Sequence, residues 1–168
     1  MHSEDELYFP ENKLFFPLFI DLNDKKIVIA GAGAVACRRA AALLDFCSRI
    51  TVIAPEVCPE IEAMAAAGRL TLKRRCFEAE DAAGAFLVLA ATGSAEANQH
   101  IIEECRRRGI PVNHAGDKNL CDFYFPAIVR RDTLIAGLSS CGTDHSRVRE
   151  MREVIEKSFD KSSASSGV

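Results

Sequence analysis

A short run of small residues built around two glycines, Gly31-Ala32-Gly33-Ala34-Val35-Ala36, is the feature of this chain whose spacing most directly implies chemistry. It matches G-x-G-x-x-G/A and directly follows the apolar run KKIVIAG (25–31), the strand-to-helix position where that pattern has mechanical meaning. Gly31 allows the tight turn, Gly33 lets a pyrophosphate reach the backbone, and Ala36 is small enough for close helix-to-strand packing. Amides exposed at the helix start then bind phosphate. A dinucleotide is the expected ligand, against the alternative of a glycine-rich turn that merely packs tightly. The acid that usually anchors the adenosine ribose is missing, because Ala54-Pro55 ends the second apolar run and Glu56 lies beyond the proline. No arginine stands there for a 2′-phosphate, so NAD is the expected cofactor, with backbone contacts from Ala54 and Pro55.

Five apolar runs must position this loop: KKIVIAG (25–31), RITVIAP (49–55), LTLKRR (70–75), FLVLAAT (86–92) and IPVNHA (110–115). They alternate with stretches of helical period, the sign of a Rossmann-like parallel sheet wound with helices. Near-continuous apolarity puts the first and fourth at its centre. Helices are expected over 34–46, with Ala36, Ala40, Leu43 and Leu44 inward, and over 97–108, with Ile101, Ile102 and Cys105 inward. Gly109 fits a left-handed cap, and Arg106, Arg107 and Arg108 suit the last turn. Thr92 and Asn113 end the fourth and fifth runs, where ligands of open parallel sheets gather; a cap or turn role is the competing account.

Beyond Ala115 the pattern changes. FYFPAIVRRDTLIAGLSS holds two β-like runs around Arg131-Asp132-Thr133, which implies a hairpin, with Pro126 at an edge or just before a strand. A helix is expected over about 146–159, with Val148, Met151 and Ile155 on one side. The Ser-rich end DKSSASSGV lacks an apolar face. The expected organisation is a Rossmann-like dinucleotide domain (1–116), a hairpin-plus-helix dimerisation and substrate region (117–158) and a disordered tail (159–168).

Composition narrows the function classes. At 168 residues, 48% hydrophobic and 27% charged, the chain suits one compact domain with a small appendage. Its 21 basic residues are matched by 24 acidic ones, which leaves no broad basic footprint for nucleic acid. Seven cysteines, an odd number with no C-x-x-C pair, argue against a disulfide framework or zinc knuckle. No apolar stretch reaches the roughly 18 residues of a membrane span, and the acidic start MHSEDELYFPEN is unlike a signal peptide. A cytoplasmic protein with reduced thiols and no membrane partner is expected.

The order PLFIDLNDKKIVIAGAGAVACRRAAALL, ITVIAPE, FLVLAAT and then VNHAGDKNLCDFYFPAIVRRDTLIAGLSSCGT resembles the precorrin-2 dehydrogenase family, the oxidase part of siroheme synthases, over about 16–156. NLCDFYFPAIVRR followed by SSCGT is much more specific than the glycine loop. The resemblance implies NAD-dependent removal of two hydrogens from precorrin-2, giving sirohydrochlorin, and a homodimer built through the hairpin region, which carries Phe123, Phe125, Ile128 and Val129. It places cofactor contacts on Ala34, Val35, Ala54 and Pro55, and catalytic roles on Asp117 and Ser140. Asn113, Arg130 and Arg147 fall where the carboxylate-rimmed tetrapyrrole would lie, with Arg131 and Arg149 nearby; for each arginine a solvated surface charge is the competing reading.

Three departures accompany the resemblance. Gly116 occupies the family's aspartate position, with Asp117 one residue later, as a proton acceptor or a turn-former. Cys141 stands in place of glycine, and Asp144-His145 in place of Ser-Pro. Cys141 and His145 are metal-capable and four apart, yet a helix cap at Thr143 or Asp144 is the simpler account and no metal site is expected. The family's further helical region is not matched, because the chain turns to serine by Ser158. Because Gly116, Cys141 and Asp144-His145 depart from the family in the cleft region and form no convincing iron site, oxidation without ferrous-iron insertion is expected. The alternatives are a non-catalytic dinucleotide or tetrapyrrole carrier within a larger synthase, and an NAD-responsive regulatory domain.

Overall fold

The computed structural model describes residues 14–164, with side chains from 14 to 159. The acidic start, with His2, and residues 165–168 of the Ser-rich end lie outside the described residues. Two compact units result: one spans Phe19–Phe123, and the other joins residues 14–18 to 124–164.

In the larger unit, strands β1 (Ile27–Ala30), β2 (Ile50–Ile53), β3 (Thr71–Lys73), β4 (Leu87–Ala90) and β5 (Val112–His114) form an all-parallel sheet in the order β3-β2-β1-β4-β5. All five are the expected runs. Strands β1 and β4 pair at the centre, Ile27 opposite Leu87 through Ala30 opposite Ala90, and every residue of both is buried. That is why they read as unbroken apolar sequence: helices cover both faces of the sheet.

Helices α1 (Ala34–Leu43), α2 (Pro59–Ala66) and α3 (Ala95–Arg108) form the crossovers of this unit. Helix α1 buries Ala36, Ala40 and Leu43, a stripe spaced one turn apart. Helix α2 was not expected from the sequence; it buries only Ile61, and its apolar period is correspondingly faint. Pro59 starts it where a missing N–H costs nothing. Helix α3 begins at the Ser94 cap, whose Oγ accepts from the Ala97 N–H at 3.2 Å, and ends at Gly109 with φ +67°. Its terminal Arg106 and Arg107 are exposed and Arg108 is half-buried; Arg107 and Arg108 both pair with Glu104, and Arg108 also reaches Glu80. These hydrogen bonds, Arg107 first, lower the Glu104 pKa to about 2.

The expected boundary at 116/117 moves to 123/124 because the segment after β5 seals its outer edge. Val112 donates its N–H to Asp122 Oδ2 at 2.9 Å and accepts from the Asp122 N–H at 2.9 Å. Asn113 Nδ2 donates to the Phe123 carbonyl at 2.7 Å. An exposed strand edge is thereby paired.

In the smaller unit, β6 (Ala127–Arg131) and β7 (Leu134–Leu138) form the expected antiparallel hairpin, with Val129 opposite Ala136 and Asp132 at φ +49° in the turn. Asp tolerates that left-handed conformation better than most residues. Helix α4 (His145–Ala164) lies along the hairpin, and Phe15 stacks on Tyr124 with ring centroids 4.0 Å apart. The helix runs past the expected start of the tail at 159. Serine costs only a few tenths of a kcal/mol per helical position, so a helix already nucleated extends through it.

Buried Asp81 braces the edge of the sheet. It accepts from Lys73 Nζ at 2.8 Å, from both Arg75 Nη atoms at 2.6 and 2.7 Å, and from the Glu78 N–H at 3.0 Å. The Arg75 hydrogen bonds, with help from Lys73, hold its carboxyl far below the usual range. A carboxylate depressed on folding stabilises the native state fully above its unfolded pKa of about 4, and loses that contribution as pH falls through the folded value. Asp81→Asn is expected to cost about 1–3 kcal/mol at neutral pH, a Tm drop of several degrees. The gap to the parent protein should narrow below about pH 3; thermal unfolding across pH measures it, and a gap independent of pH would contradict the account.

Candidate functional site

At the carboxyl ends of β1 and β4, where the strand order reverses, the larger unit opens a crevice of about 870 Å³. Ligands of open parallel sheets bind at such a switch point, and the volume lies in the roughly 300–1,000 Å³ range of ligand sites. Gly31, Gly33, Ala34 and Val35 form one wall, Ala54, Pro55 and Glu56 a second, and Thr92 with Gly93 a third. Seven of the residues expected to hold cofactor thus meet around one space.

The two glycines do different work. Gly31 has φ +108°, donates to the Ile53 carbonyl at 2.8 Å, and sits so close to the turn after β4 that an added Cβ would lie 2.2 Å from the Ala91 carbonyl oxygen. No other residue fits. Gly33 has an ordinary φ of −81°, and its missing Cβ would meet nothing within 4 Å. The space it leaves belongs to the crevice. Gly33 caps α1 without a side-chain hydrogen bond, and no acidic residue stands in the first turn. Helix α1 therefore presents uncompensated N–H groups and the positive end of its dipole, with the surface beside Gly33 clear of side chains. The residues present fit a pyrophosphate.

A smaller hollow of about 340 Å³ is lined by Leu44–Ser48, Gly68 and Arg69. It adjoins the carboxyl end of α1, whose dipole repels anions.

Thr92 is held by a residue that sequence reasoning missed. Asn98 accepts from the Thr92 N–H at 3.0 Å and from its hydroxyl at 2.7 Å, and donates back to the Thr92 carbonyl at 3.2 Å. Asn98 lies buried on the same stripe of α3 as Ile101, Ile102 and Cys105. A polar residue on an apolar stripe was the available signal. Phe77 and Cys58 also line the crevice, and neither has a local motif.

Asn113 is buried beneath this surface rather than among the lining residues. Its Oδ1 accepts from Arg39 of α1, while its Nδ2 donates to the Phe123 carbonyl. Next to it, His114 Nδ1 accepts from the Gly116 N–H at 3.0 Å and the Asp117 N–H at 2.6 Å, which fixes the loop that brings Ala115 and Gly116 to the crevice. Asp117 Oδ1 accepts from the Asn119 N–H at 2.9 Å, the turn-forming role weighed for it; its other oxygen has acceptor capacity beyond that bond.

Ser140, Arg130 and Arg147 belong to the smaller unit. Ser140 Oγ accepts from the Asp144 N–H at 3.0 Å, and Asp144 caps α4 by accepting from the Arg147 N–H at 2.9 Å. Cys141 has φ +53°, a conformation that favours glycine, the residue type the resemblance implies at this position. Because Cys141 precedes α4 in this left-handed conformation, it does not share a helix face with His145.

Two substitutions separate the glycine roles. Gly31→Ala is expected to destabilise folding by more than about 2 kcal/mol, through both its φ and the clash with Ala91. Gly33→Asp is expected to leave Tm within about 2 °C, as surface changes do, while placing a carboxylate where phosphate would lie. Thermal unfolding with nicotinamide-nucleotide titration distinguishes them; equal losses of stability would contradict the assignment.

Comparison with known proteins agrees with this geometry. A family model described as "Putative NAD(P)-binding" matches residues 18–127. The siroheme synthase of Nitrosospira multiformis is 37% identical over 146 residues, 84% of this chain and 31% of that enzyme. This chain spans just under a third of the length of the siroheme synthases it matches. The precorrin-2 dehydrogenase of Bacillus subtilis is 35% identical over 144 residues, covering 86% of this chain and 88% of that protein. The solved structure of SirC, a precorrin-2 dehydrogenase, superposes with a TM-score of 0.72 at 26% identity, over 86% of this chain and 71% of SirC. By its matched length, its sequence identity and the shared fold, the chain belongs to the precorrin-2 dehydrogenase family of NAD(P)-binding proteins.

Proposed function

We propose that this chain oxidises precorrin-2 to sirohydrochlorin with NAD as the hydride acceptor. The observation that carries the reading is the crevice at the switch point, with its Cβ-free surface at Gly33 and the bare N-terminus of α1, in a chain of the precorrin-2 dehydrogenase family. When bound there, NAD supplies an electrophilic ring that accepts hydride, so that precorrin-2 and NAD⁺ give sirohydrochlorin, NADH and a proton.

The chain's own groups take the remaining tasks. The amides of Ala34 and Val35 bind the pyrophosphate. Glu56, which lines the crevice beyond Ala54 and Pro55, accepts from the ribose hydroxyls and disfavours a 2′-phosphate. NAD is thereby preferred to NADP. Arg74 and Arg75 do not counter this, since they are paired with Glu62 and Asp81. Thr92, braced by Asn98, lies at the carboxyl end of β4 and contacts cofactor there. Asn113 orients the end of β5 from beneath. Asp117 takes the substrate proton through its remaining acceptor capacity. On the smaller unit, Ser140 offers a hydroxyl, and Arg130 and Arg147 the positive charge, that suit a carboxylate-rimmed macrocycle.

A homodimer fits the smaller unit. Its hairpin and α4 leave Leu134, Ile135, Met151 and Val154 exposed, apolar side chains of the kind a second copy would cover. No described helix is long and apolar enough to cross a membrane, and all seven cysteines are free thiols, in keeping with a cytoplasmic setting. The second reading, a binding subunit without turnover, is favoured by the Asn119 N–H already occupying Asp117 Oδ1.

Protein mixed with NAD and precorrin-2 is expected to yield one NADH per sirohydrochlorin, and Asp117→Asn to lower kcat roughly 100-fold at unchanged NAD affinity. Saturable binding of both ligands without NADH would select the subunit reading. In a separate test, the Leu134→Glu and Met151→Glu double variant should elute as a monomer on gel filtration where the parent protein elutes as a dimer; identical elution would sink the proposed interface.

A further inference from the structure

The start of α2 faces α1 through three side chains that the proposed reaction does not use. Cys37 lies in the second turn of α1, Cys58 caps α2, and Glu60 stands in the first turn of α2. The Cys37 and Cys58 sulfurs and a Glu60 carboxylate oxygen all lie within 4.8 Å of one another. We infer that Cys37, Cys58 and Glu60 form a binding site for a soft divalent cation such as zinc, with water as the fourth ligand.

Coordination chemistry supports the assignment. Two thiolates on one tetrahedral zinc stand about 3.8 Å apart, given Zn–S bonds of about 2.3 Å. The present spacing, no more than 4.8 Å, is compatible with that value. Thiolate sulfur selects zinc or copper(I) over magnesium or calcium, and the carboxylate favours zinc between the first two. Glu60 also sets this cluster apart from a simple dithiol, because a carboxylate has no part in forming a disulfide. Both cysteines are half-buried while Glu60 is exposed, leaving a side open for the water. Burial, then the neighbouring Cys58 and Glu60, pushes the Cys37 thiol up, and a cation would reverse the last two effects.

The donors come from two helices 21 residues apart in sequence at Cys37 and Cys58, so no spacing motif announces them. Their placement joins the site to the crevice: Cys58 lines it, and the Cys58 N–H donates to the Ala32 carbonyl inside the glycine loop at 3.3 Å. A bound ion would tie the start of α1, which follows that loop, to the start of α2. The inference stands on the cluster alone, whether or not the crevice takes NAD.

Cobalt(II) titrated into the reduced full-length protein, without nucleotide, is expected to give thiolate-to-metal charge-transfer absorption saturating at one equivalent and displaced by zinc. Cys37→Ser and Cys58→Ser should each abolish it, and Glu60→Gln should weaken binding at least tenfold. Zinc should also slow alkylation of Cys37 and Cys58 in the unaltered protein, measured by peptide mass spectrometry, while leaving Cys76 and Cys141 as reactive as before. That measurement does not depend on any variant folding. Absence of the charge-transfer band, its survival in both cysteine variants, or unchanged alkylation of Cys37 and Cys58 under zinc would each overturn the inference.

Discussion

The close approach of Gly31 to the Ala91 carbonyl is the constraint on which the rest of this structure depends. It brings the turn after β1 against the turn after β4, at the point where the sheet reverses its winding order. Because the first turn is pinned there, Gly33 and the start of α1 face open space rather than the neighbouring loop. One backbone contact, possible only without a Cβ, thereby creates an anion-receptive surface. Everything proposed for the chemistry is arranged around it.

Support for that surface comes from buried and half-buried polar groups that act on loops rather than on a ligand. Asn98 spans the turn after β4 with three hydrogen bonds to Thr92. Arg39, Asn113 and the Phe123 carbonyl link α1, β5 and the segment that seals the sheet edge. His114 Nδ1 gathers the Gly116 and Asp117 amides. A buried polar group has to find partners, and here the partners are the backbone atoms of the connections that surround the crevice. The sheet supplies position and these side chains supply rigidity.

Much of this was legible in the residues. Strands β1 and β4 announced themselves because burial on both faces leaves no polar alternation, and the end of α3 was marked by Gly109 through local capping chemistry that needs no tertiary information, whereas its start, expected at 97, lies at Ala95 after the Ser94 cap. The hairpin was legible for the same local reason. Helix α2 was not, since it buries a single residue, Ile61, and so carries almost no period. The edge segment ending at Phe123 was placed in the wrong unit because its bonds to β5 run through Asp122 and the backbone, which have no spacing signature. In the site, the glycine loop, Ala54, Pro55 and Thr92 were readable from their positions at strand ends. Asn98, Phe77 and the Cys37–Cys58–Glu60 cluster were not, because each acquires its meaning only from a neighbour distant in sequence.

Backbone amide hydrogen exchange, followed residue by residue with and without saturating NAD, tests the central claim most directly. The account predicts slowed exchange at Gly33, Ala34 and Val35 and in the loop carrying Glu56, with the hollow at Leu44–Ser48 unaffected. Unchanged exchange across the glycine loop, or protection centred on that hollow, would contradict it.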